Sequence, residues 1–154
     1  MCQILANALK KLHEQPIKNF PISSRYQRYI ESLENEFKST YYDEGVLMNR
    51  YMIHSRAEAL EIIKSNYREL LPDTLIHGDS CLPNIIQNDN EFCSFIDFSM
   101  TGAGSKYIDL YWAIWSLNYN LKTEEYTDLF LNFYGKDNVD EKILKVVAAF
   151  ELLG

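Results

Sequence analysis

The hydrophobic and polar positions of the chain follow two periods, and each period predicts one kind of secondary structure. Apolar residues recur every three to four positions, the spacing of one helix face, in six stretches. The predicted helices cover residues 2–13, from Ser23 or Ser24 to about Lys38, from Ser55 to about Leu71, from Asp109 to about Leu117, from Thr123 to Gly135, and from Asp140 onward. Short apolar runs at Thr74 to Ile76, Ile85 to Ile86 and Phe92 to Ile96 predict strands, the last two joined as a hairpin by Asn88 to Asn90.

The same pattern predicts which side chains form the core and where one helix begins. Ser55 followed three positions later by Glu58 is a capping box, in which the Ser hydroxyl and the Glu carboxylate satisfy free backbone amides. The side chains predicted to face inward include Leu5 and Leu9 of the first helix, Tyr26, Ile30, Leu33 and Phe37 of the second, and Leu129, Phe130 and Phe133 of the fifth.

A polar loop interrupts the apolar strands and carries the candidate chemistry. It contains His77-Gly78-Asp79, then four residues, then Asn84, and the third strand leads directly into Asp97. The spacing matches a kinase catalytic loop, His-Arg-Asp, four residues and Asn, followed by a metal-binding Asp, with Gly78 in place of Arg. The predicted hairpin folds Asp97 back beside Asn84.

Phosphoryl transfer explains why these residue types recur at this spacing. The reaction needs a carboxylate beside the attacking hydroxyl and oxygen ligands for the Mg²⁺ that neutralises the phosphates. Asp79 is the candidate catalytic base. Asn84 and Asp97 are the candidate metal ligands, because Mg²⁺ prefers hard oxygen donors and takes few of them from the protein.

With these motifs in order, the chain resembles the aminoglycoside phosphotransferases, relatives of the protein kinases that also include choline, homoserine and fructosamine kinases. Within that family it is similar to the kanamycin-type 3′-phosphotransferases over most of its length. Leu9 to His13 resembles the helix that opens the family's C-terminal lobe, and Phe150 to Leu153 resembles its last helix. The positions that carry the resemblance are His77, Gly78, Asp79, Asn84, Asp97 and Asp109.

The resemblance implies a fold and roles for further residues. The fold would be a mostly helical α+β, protein-kinase-like C-terminal lobe, with a short antiparallel hairpin carrying the catalytic loop. His77 and Asp109 would support the catalytic loop, although His77 could also act in catalysis directly and Asp109 is also a plain helix cap. Glu151 of the last helix would contact the substrate. The cofactors would be ATP and Mg²⁺.

Two further regions can be compared with the family, an acidic stretch and the loop after Asp97. Glu34, Glu36, Asp43 and Glu44 fall where relatives present carboxylates to the drug's ammonium groups, or they form a solvated helix face and turn. After Asp97, Ser99 and Met100 stand where many members have Gly and Arg. These differences put in question the loop geometry and any ion pair that an Arg would have made.

The family's N-terminal lobe has no counterpart in the sequence. That lobe carries a phosphate-covering loop and a Lys that grips the phosphates, whereas the six glycines of this chain fall in no such loop. We therefore expect residues 1–154 to form a single domain, a C-terminal lobe without its nucleotide-binding lobe. A truncated reading frame, a deliberately shortened protein and one half of a split enzyme all fit. We expect little or no kinase activity from this chain alone, and either an N-lobe partner or self-association.

The charge and composition of the chain limit the kinds of molecule that it is expected to bind. The net charge of −7, from 22 acidic and 15 basic residues, disfavours nucleic acid and favours a cationic substrate, although many proteins are acidic simply for solubility. No apolar run approaches the roughly 20 residues of a membrane span. Three cysteines without metal-ligand spacing indicate a reducing cytoplasm, and Cys81 inside the loop is interpreted as a small filler.

These observations predict ATP-dependent phosphoryl transfer to a hydroxyl of a small molecule. An aminoglycoside antibiotic is the leading substrate, and resistance to it would be the biological result. Two alternatives stay open. One is a kinase for another hydroxyl compound such as choline, a sugar or a macrolide, and the other is a truncated, inactive remnant of such an enzyme.

Overall fold

The computed structural model describes residues 1–37, 49–89 and 91–154. Within these ranges the chain forms six α-helices and four short strands, joined by turns and 3-10 segments. The helices are α1 (Cys2–His13), α2 (Ser24–Glu34), α3 (Arg56–Asn66), α4 (Lys106–Leu121), α5 (Glu125–Tyr134) and α6 (Glu141–Leu153). The strands are β1 (Thr74–Ile76), β2 (Ile85–Asn88), β3 (Glu91–Phe95) and β4 (Gly102–Gly104).

The architecture is α+β and mostly helical, as predicted, and it contains two small antiparallel sheets, of which only the hairpin was predicted. Strand β1 pairs with β4, and β2 pairs with β3. Helix α4 lies in the core, where Ile108, Leu110 and Tyr111 are fully buried. Helices α5 and α6 pack against α4, α1 packs against α5, and α3 packs against α6. The core therefore lies directly behind the loop that joins β1 to β2.

The predicted hairpin is confirmed as the β2–β3 pair. Ile85 pairs with Phe95 and Asn88 with Glu91, and a bulge interrupts the register between Ile86 and Gln87. Asn90 of the predicted turn lies outside the described residues. The strand after the turn begins at Glu91 and ends at Phe95, one residue earlier than predicted at both ends.

The structure contains the helix caps predicted at the N-termini of two helices. The Ser55 hydroxyl accepts a hydrogen bond from the Glu58 amide at 3.1 Å, and the Glu58 carboxylate accepts one from the His54 amide at 2.9 Å. The capping box is therefore present, with Glu58 reaching one residue further back than expected. Asp140 caps α6 by accepting from the Lys142 amide at 2.8 Å.

Helix α2 ends earlier than predicted and buries a different face. It stops at Glu34, because Glu36 and Phe37 adopt left-handed conformations and the Phe37 amide turns back to the Ser32 carbonyl at 3.0 Å. This turn lets Phe37 pack against the α6 core. The fully inward side chains of α2 are Arg25 and Tyr29, while the predicted Tyr26, Ile30 and Leu33 are only partly buried.

Four other predictions need correction. Helix α3 ends at Asn66, where a 3-10 turn replaces its last predicted turn. Helix α4 begins at Lys106, so Asp109 lies within its first turn and is not its N-cap. Helix α4 also continues beyond Leu117 to Leu121. On α5, Leu129 and Phe133 are exposed, because the helix rotates Phe130, Leu131 and Tyr134 toward the core.

Of the four acidic residues predicted to meet the substrate, two lie among the described residues and two do not. Glu34 and Glu36 are exposed at the end of α2. Asp43 and Glu44 lie outside the described residues, as does the predicted end of α2 at Lys38.

Candidate active site

The loop between β1 and β2 is held in shape by one glycine and one 3-10 turn. Gly78 has a φ of +82°, and a Cβ added there would lie 2.5 Å from the Met100 carbonyl oxygen. Leu82–Asn84 forms the 3-10 turn, with Pro83 inside it and the Asn84 amide donating to the Cys81 carbonyl at 2.9 Å. The loop thus passes close to the backbone near Met100 and returns Asn84 toward its own start.

Asp79 and Asn84 form a direct pair. The Asn84 side-chain amide donates to the Asp79 carboxylate and to the Asp79 carbonyl, both at 2.9 Å. Both side chains are partly exposed. Because the Asn84 nitrogen faces Asp79, its amide oxygen points away from that carboxylate and keeps its ability to bind a cation.

Asp97 follows β3 and lies at the same end of the hairpin as Asn84. The Ile96 amide donates to the Asn84 carbonyl at 2.9 Å, which joins the two predicted metal ligands through adjacent backbone. Asp97 has a φ of 58° and is exposed. Hydrogen bonds from the hydroxyl and the amide of Ser99 lower the pKa of the Asp97 carboxyl. The structure therefore pairs Asp79 with Asn84 and places Asp97 at the same end of the hairpin.

Asp109 supports the loop from behind. It is completely buried, and its carboxylate accepts hydrogen bonds from the amides of His77 and Gly78, each at 2.8 Å. Its backbone carbonyl accepts from the Ser80 hydroxyl at 2.6 Å. Helix α4 is thereby tied to three positions of the loop region, His77, Gly78 and Ser80, by three contacts. These are the contacts expected of a supporting residue.

His13 completes the surroundings of Asp109, and sequence reasoning assigned it only a capping or packing role. Its Nε2 lies 3.1 Å from the Asp109 carboxylate, which can only accept, so Nε2 donates. Its Nδ1 then accepts from the Tyr134 hydroxyl at 2.8 Å. Burial, together with the nearby Asp109 charge, raises the pKa of Tyr134, which keeps that hydroxyl protonated as a donor.

The His77 ring is also fully buried, and its contacts are with backbone. Nε2 donates to the Ile96 carbonyl at 2.9 Å, while Nδ1 accepts from the Asp79 amide at 3.3 Å. Phe95 and Phe98 lie beside the ring, with centroid separations of 5.2 and 5.5 Å. This placement favours the predicted supporting role over direct proton transfer, because both nitrogens are already engaged.

Cys81 lies in the loop but has the character of a buried thiol. Burial, and secondarily the Asp79 charge, raises its pKa to about 12. A thiol with that pKa is protonated at neutral pH and is a poor nucleophile. Its interpretation as a small filler fits this environment.

Glu151 lies on the inner side of α6, where it contacts α2 and α4. Its carboxylate accepts from Arg25 at 3.0 Å and from the Trp112 indole at 2.9 Å, and also from the Tyr29 hydroxyl. Sequence reasoning missed Arg25 and Tyr29. A buried Arg is rare unless it is paired, but no local pattern identifies which Arg has a partner more than 100 positions away.

Comparisons with known proteins give the chain its family. The model of the phosphotransferase enzyme family APH matches residues 1–144. The chain therefore belongs to the APH phosphotransferase family.

Two relatives show similarity over most or all of the chain. The chain is 39% identical over 154 residues to a probable aminoglycoside 3′-phosphotransferase of Lactococcus lactis subsp. lactis strain IL1403, covering 100% of this chain and 58% of that protein. It is 26% identical over 140 residues to an aminoglycoside 3′-phosphotransferase of Niallia circulans, covering 90% of this chain and 53% of that protein. The chain thus spans little more than half the length of these relatives.

A solved structure shares the fold of this chain. The structure of an aminoglycoside phosphotransferase from Streptomyces rimosus ATCC10970, in complex with ADP and streptomycin, superposes with a TM-score of 0.69 at 19% identity. The match covers 99% of this chain and 61% of that one. Among the described residues, none of the helices combines the length and apolarity that crossing a bilayer requires.

Proposed function

We propose that the chain is part of an enzyme that transfers the γ-phosphoryl group of ATP to a hydroxyl of a small cationic molecule, with an aminoglycoside antibiotic as the leading substrate and antibiotic resistance as the result. The observation that carries the proposal is the grouping of Asp79, Asn84 and Asp97 at one end of the hairpin. Membership of the APH family and the 39% identity to a probable aminoglycoside 3′-phosphotransferase support it.

Asp79 is proposed as the catalytic base. Its carboxylate is partly exposed, and Asn84 holds it through one oxygen. A carboxylate in this position can accept a hydrogen bond from a substrate hydroxyl and take its proton as the phosphoryl group arrives. Holding the hydroxyl in line with the phosphoryl group accounts for most of what the protein has to supply in such a reaction.

Asn84 and Asp97 fit a magnesium ion. Both offer hard oxygen donors, and an ion that retains waters and phosphate oxygens needs only one or two protein ligands. Bound there, Mg²⁺ would neutralise the charge of the phosphates.

Asp109 and His77 are proposed as supports of the catalytic loop. Asp109 fixes the loop backbone through two amide hydrogen bonds, and His77 ties the loop to Ile96, which lies between β3 and Asp97. The base and the metal ligands are then held at a constant separation while substrates exchange. ATP as donor and three free cysteines fit a cytoplasmic location.

An inactive remnant is the second candidate, and one sequence feature favours it. The chain contains neither a glycine-rich phosphate loop nor a Val-Ala-Ile-Lys strand. Without these groups the phosphates lose much of their positioning, so we propose little or no kinase activity for this chain by itself. Kinases for choline, a sugar or a macrolide stay possible for the longer enzyme, and a substrate panel separates them.

Calorimetric titration of Mg·ATP into the purified chain tests the proposed site. We expect binding that Asp97→Ala weakens at least about tenfold, because the variant removes a metal ligand. Asp137→Ala, which removes an exposed carboxylate from the 3-10 turn Lys136–Asn138, is the matched control and should bind as the parent does. Absence of binding by a folded sample, or equal binding by Asp97→Ala, would contradict the assignment.

A further inference from the structure

A cavity of about 280 Å³ lies where α1, β1, α4 and the end of α5 meet. Besides Thr74 of β1, it is lined by Lys10, His13, Glu14, Lys106, Tyr134 and Asn138. None of these residues belongs to the proposed catalytic or metal-binding set. The cavity is therefore distinct from the candidate active site, and it has room for a small ion with water molecules around it.

Two lysines give this cavity a positive lining, although the chain as a whole carries a charge of −7. The lining contains Lys10 and Lys106 but only one carboxylate, that of Glu14. Neither lysine forms an ion pair within the part of the chain that the structure describes. The Lys106 ammonium donates to the Asn138 carbonyl at 3.0 Å, which holds it at the cavity. Unpaired cations on a shared concave surface favour the binding of an anion.

Two buried residues of the lining connect the cavity to the catalytic loop. The His13 side chain is 5% exposed, and Tyr134 is 7% exposed. The Tyr134 hydroxyl donates to His13 Nδ1 at 2.8 Å, and His13 Nε2 donates to Asp109 at 3.1 Å. Asp109 in turn accepts from the amides of His77 and Gly78. A continuous series of hydrogen bonds therefore leads from the cavity to the loop backbone.

We propose that this cavity binds a small oxyanion, a phosphate or a carboxylate group, and that binding is transmitted to the catalytic loop through Tyr134, His13 and Asp109. Lys10 and Lys106 supply the positive charge, and the Tyr134 hydroxyl supplies a hydrogen-bond donor. The anion site goes beyond the proposed function and does not depend on it. Only the effect of the anion on catalysis rests on the proposed function.

Donation by Tyr134 to an anion requires His13 to take up a proton. The hydroxyl has one hydrogen, so it cannot donate to the anion and to His13 Nδ1 together. Nδ1 then takes a proton from solvent and donates to the Tyr134 oxygen, while Nε2 keeps its hydrogen and continues to donate to Asp109. Because the imidazolium is charged, its hydrogen bond to Asp109 is stronger and holds the loop more firmly.

The groups around His13 set the pH dependence of anion binding. Carboxylates near an imidazole favour its charged form, and ammonium groups oppose it. A bound anion adds negative charge on the cavity side and so favours the imidazolium. Coupling between two sites is reciprocal, so the anion binds more tightly as the pH falls. The titratable groups that face His13 from α1, α4 and α5 are Lys10, Glu14, Lys106, Asp109 and Tyr134.

Calorimetric titration of sodium sulfate into the purified chain, without Mg²⁺, tests the site. Sulfate keeps its charge over the range in which a histidine ordinarily titrates, from about pH 6 to about pH 8. We expect saturable binding that is at least about fivefold tighter at the lower pH, with uptake of protons from the buffer. Sodium chloride of equal ionic strength should give no saturable signal. Tighter binding of sulfate than of acetate indicates a phosphate-like ligand, and the reverse order indicates a carboxylate.

A pair of double variants locates the binding. Lys10→Gln/Lys106→Gln removes both cations of the lining, and we expect it to weaken sulfate binding at least about tenfold. Lys11→Gln/Lys64→Gln is the matched control, because it removes the same charge from two exposed lysines outside the cavity lining. Equal binding by the two double variants, or no saturable binding by the parent chain, would overturn the site.

Nitrogen NMR of the His13 ring tests the link to the loop. Sulfate should convert the ring from its neutral form to the imidazolium and should shift the Gly78 amide signal. In Tyr134→Phe, which lacks the hydroxyl, we expect the pH dependence of sulfate binding to fall to less than about twofold. If that variant is unfolded, the His13 and Gly78 signals of the parent chain decide. Sulfate binding that leaves both signals unchanged would overturn the link.

These outcomes separate the anion site from the proposed function. Mg·ATP binding and its loss in Asp97→Ala do not involve Lys10 or Lys106. If Mg·ATP fails to bind while sulfate binds and protonates His13, the anion site is established and its effect on catalysis falls with the proposed function. If Mg·ATP binds and sulfate does not, the phosphotransferase assignment is kept and the anion site is rejected.

Discussion

At the scale of single residues, Asp109 makes hydrogen bonds that connect several separate parts of the candidate site. Its carboxylate accepts from two loop amides and from His13, and its carbonyl accepts from Ser80. The contacts to His77, Gly78 and Ser80 are buried, and the contact to His13 is partly buried. The hydrogen bonds to a buried carboxylate stabilise the fold only when all of them are formed. Each buried donor left without a partner carries its full desolvation cost.

We therefore predict that Asp109→Asn destabilises the fold by about 2–3 kcal/mol. The substituted amide presents a donor where the carboxylate accepted, so one of the amides of His77 and Gly78 loses its partner. Urea unfolding followed by circular dichroism measures the loss. Asp128→Asn, at a carboxylate whose side chain is 62% exposed, should change stability by less than about 0.5 kcal/mol. Equal effects of the two variants would contradict this reading.

Ser99 controls the protonation of Asp97, and Ser99→Ala tests this. The Ser99 hydroxyl donates to the Asp97 carboxylate at 2.7 Å and lowers the pKa of that carboxyl. Asp97 keeps its charge above this pKa and loses it as the pH falls through the pKa. Without the hydroxyl the pKa rises toward its ordinary value, so Mg·ATP binding should be lost at a higher pH than in the parent chain.

Carboxyl carbon NMR titration reads the Asp97 pKa directly in both proteins. Ser94→Ala is the control, because the Ser94 hydroxyl donates to the Phe95 carbonyl and not to Asp97. An Asp97 titration unchanged by Ser99→Ala, or shifted equally by Ser94→Ala, would show that the hydroxyl does not set the pKa.

At the scale of elements, the catalytic loop and the 3-10 turn Phe98–Met100 approach so closely that only glycine fits between them. Gly78 has a left-handed backbone, and a Cβ there would meet the Met100 carbonyl oxygen at 2.5 Å. Gly135 has a comparable φ of +111°, but its nearest contact for a Cβ is the Asn138 side chain at 3.4 Å. Alanine substitutions at the two positions therefore separate the cost of a left-handed backbone, which both share, from the cost of the steric clash, which only Gly78 has.

We predict that Gly78→Ala destabilises the chain by at least about 1–2 kcal/mol more than Gly135→Ala does. Both variants force an L-residue into left-handed backbone, and only the first also pushes the Phe98–Met100 turn away from the loop. Urea unfolding of the two variants gives the difference. An equal decrease in the free energy of unfolding for both variants would mean that the loop and the turn can move apart without destabilising the chain.

Strong apolar periods and caps made the helices predictable, and their absence explains what was missed. Helix α1 has the predicted bounds, and the cap at Ser55 and the β2–β3 hairpin follow local signals. Strand β4 was missed because Gly-Ala-Gly carries no apolar alternation and pairs with β1 across a long stretch of chain. The early end of α2 depends on the burial of Phe37 against α6, which no local pattern contains.

At the scale of the whole molecule, the site combines a local motif with distant supports. That Asp79 and Asn84 meet, and that Asp97 returns to the same end of the hairpin, was predictable because one short loop and one hairpin join them. His13 and Arg25 were not, since each meets its partner only after α1 and α2 pack against α4 and α6. Packing of the complete fold selects these contacts, and sequence spacing does not encode them.

The last prediction tests the proposal that the chain acts together with a further part of the kind its relatives contain. The chain matches 58% of the length of its Lactococcus lactis relative, and the motifs that cover ATP phosphates in kinases are not in its sequence. Fusion to the unmatched part of that relative should therefore raise ATP-dependent phosphorylation of kanamycin at least about a hundredfold above that of the isolated chain. A coupled ADP-release assay with a kanamycin concentration series measures the gain.

The fusion carrying Asp79→Asn is the necessary control, because it keeps the added part and removes only the proposed base. We expect its turnover to fall to background while Mg·ATP binding is kept, since Asn84 and Asp97 remain. Turnover by the isolated chain equal to that of the fusion would contradict the need for the additional part. A fusion that binds Mg·ATP but phosphorylates none of kanamycin, choline, sugars or macrolides would favour the inactive remnant.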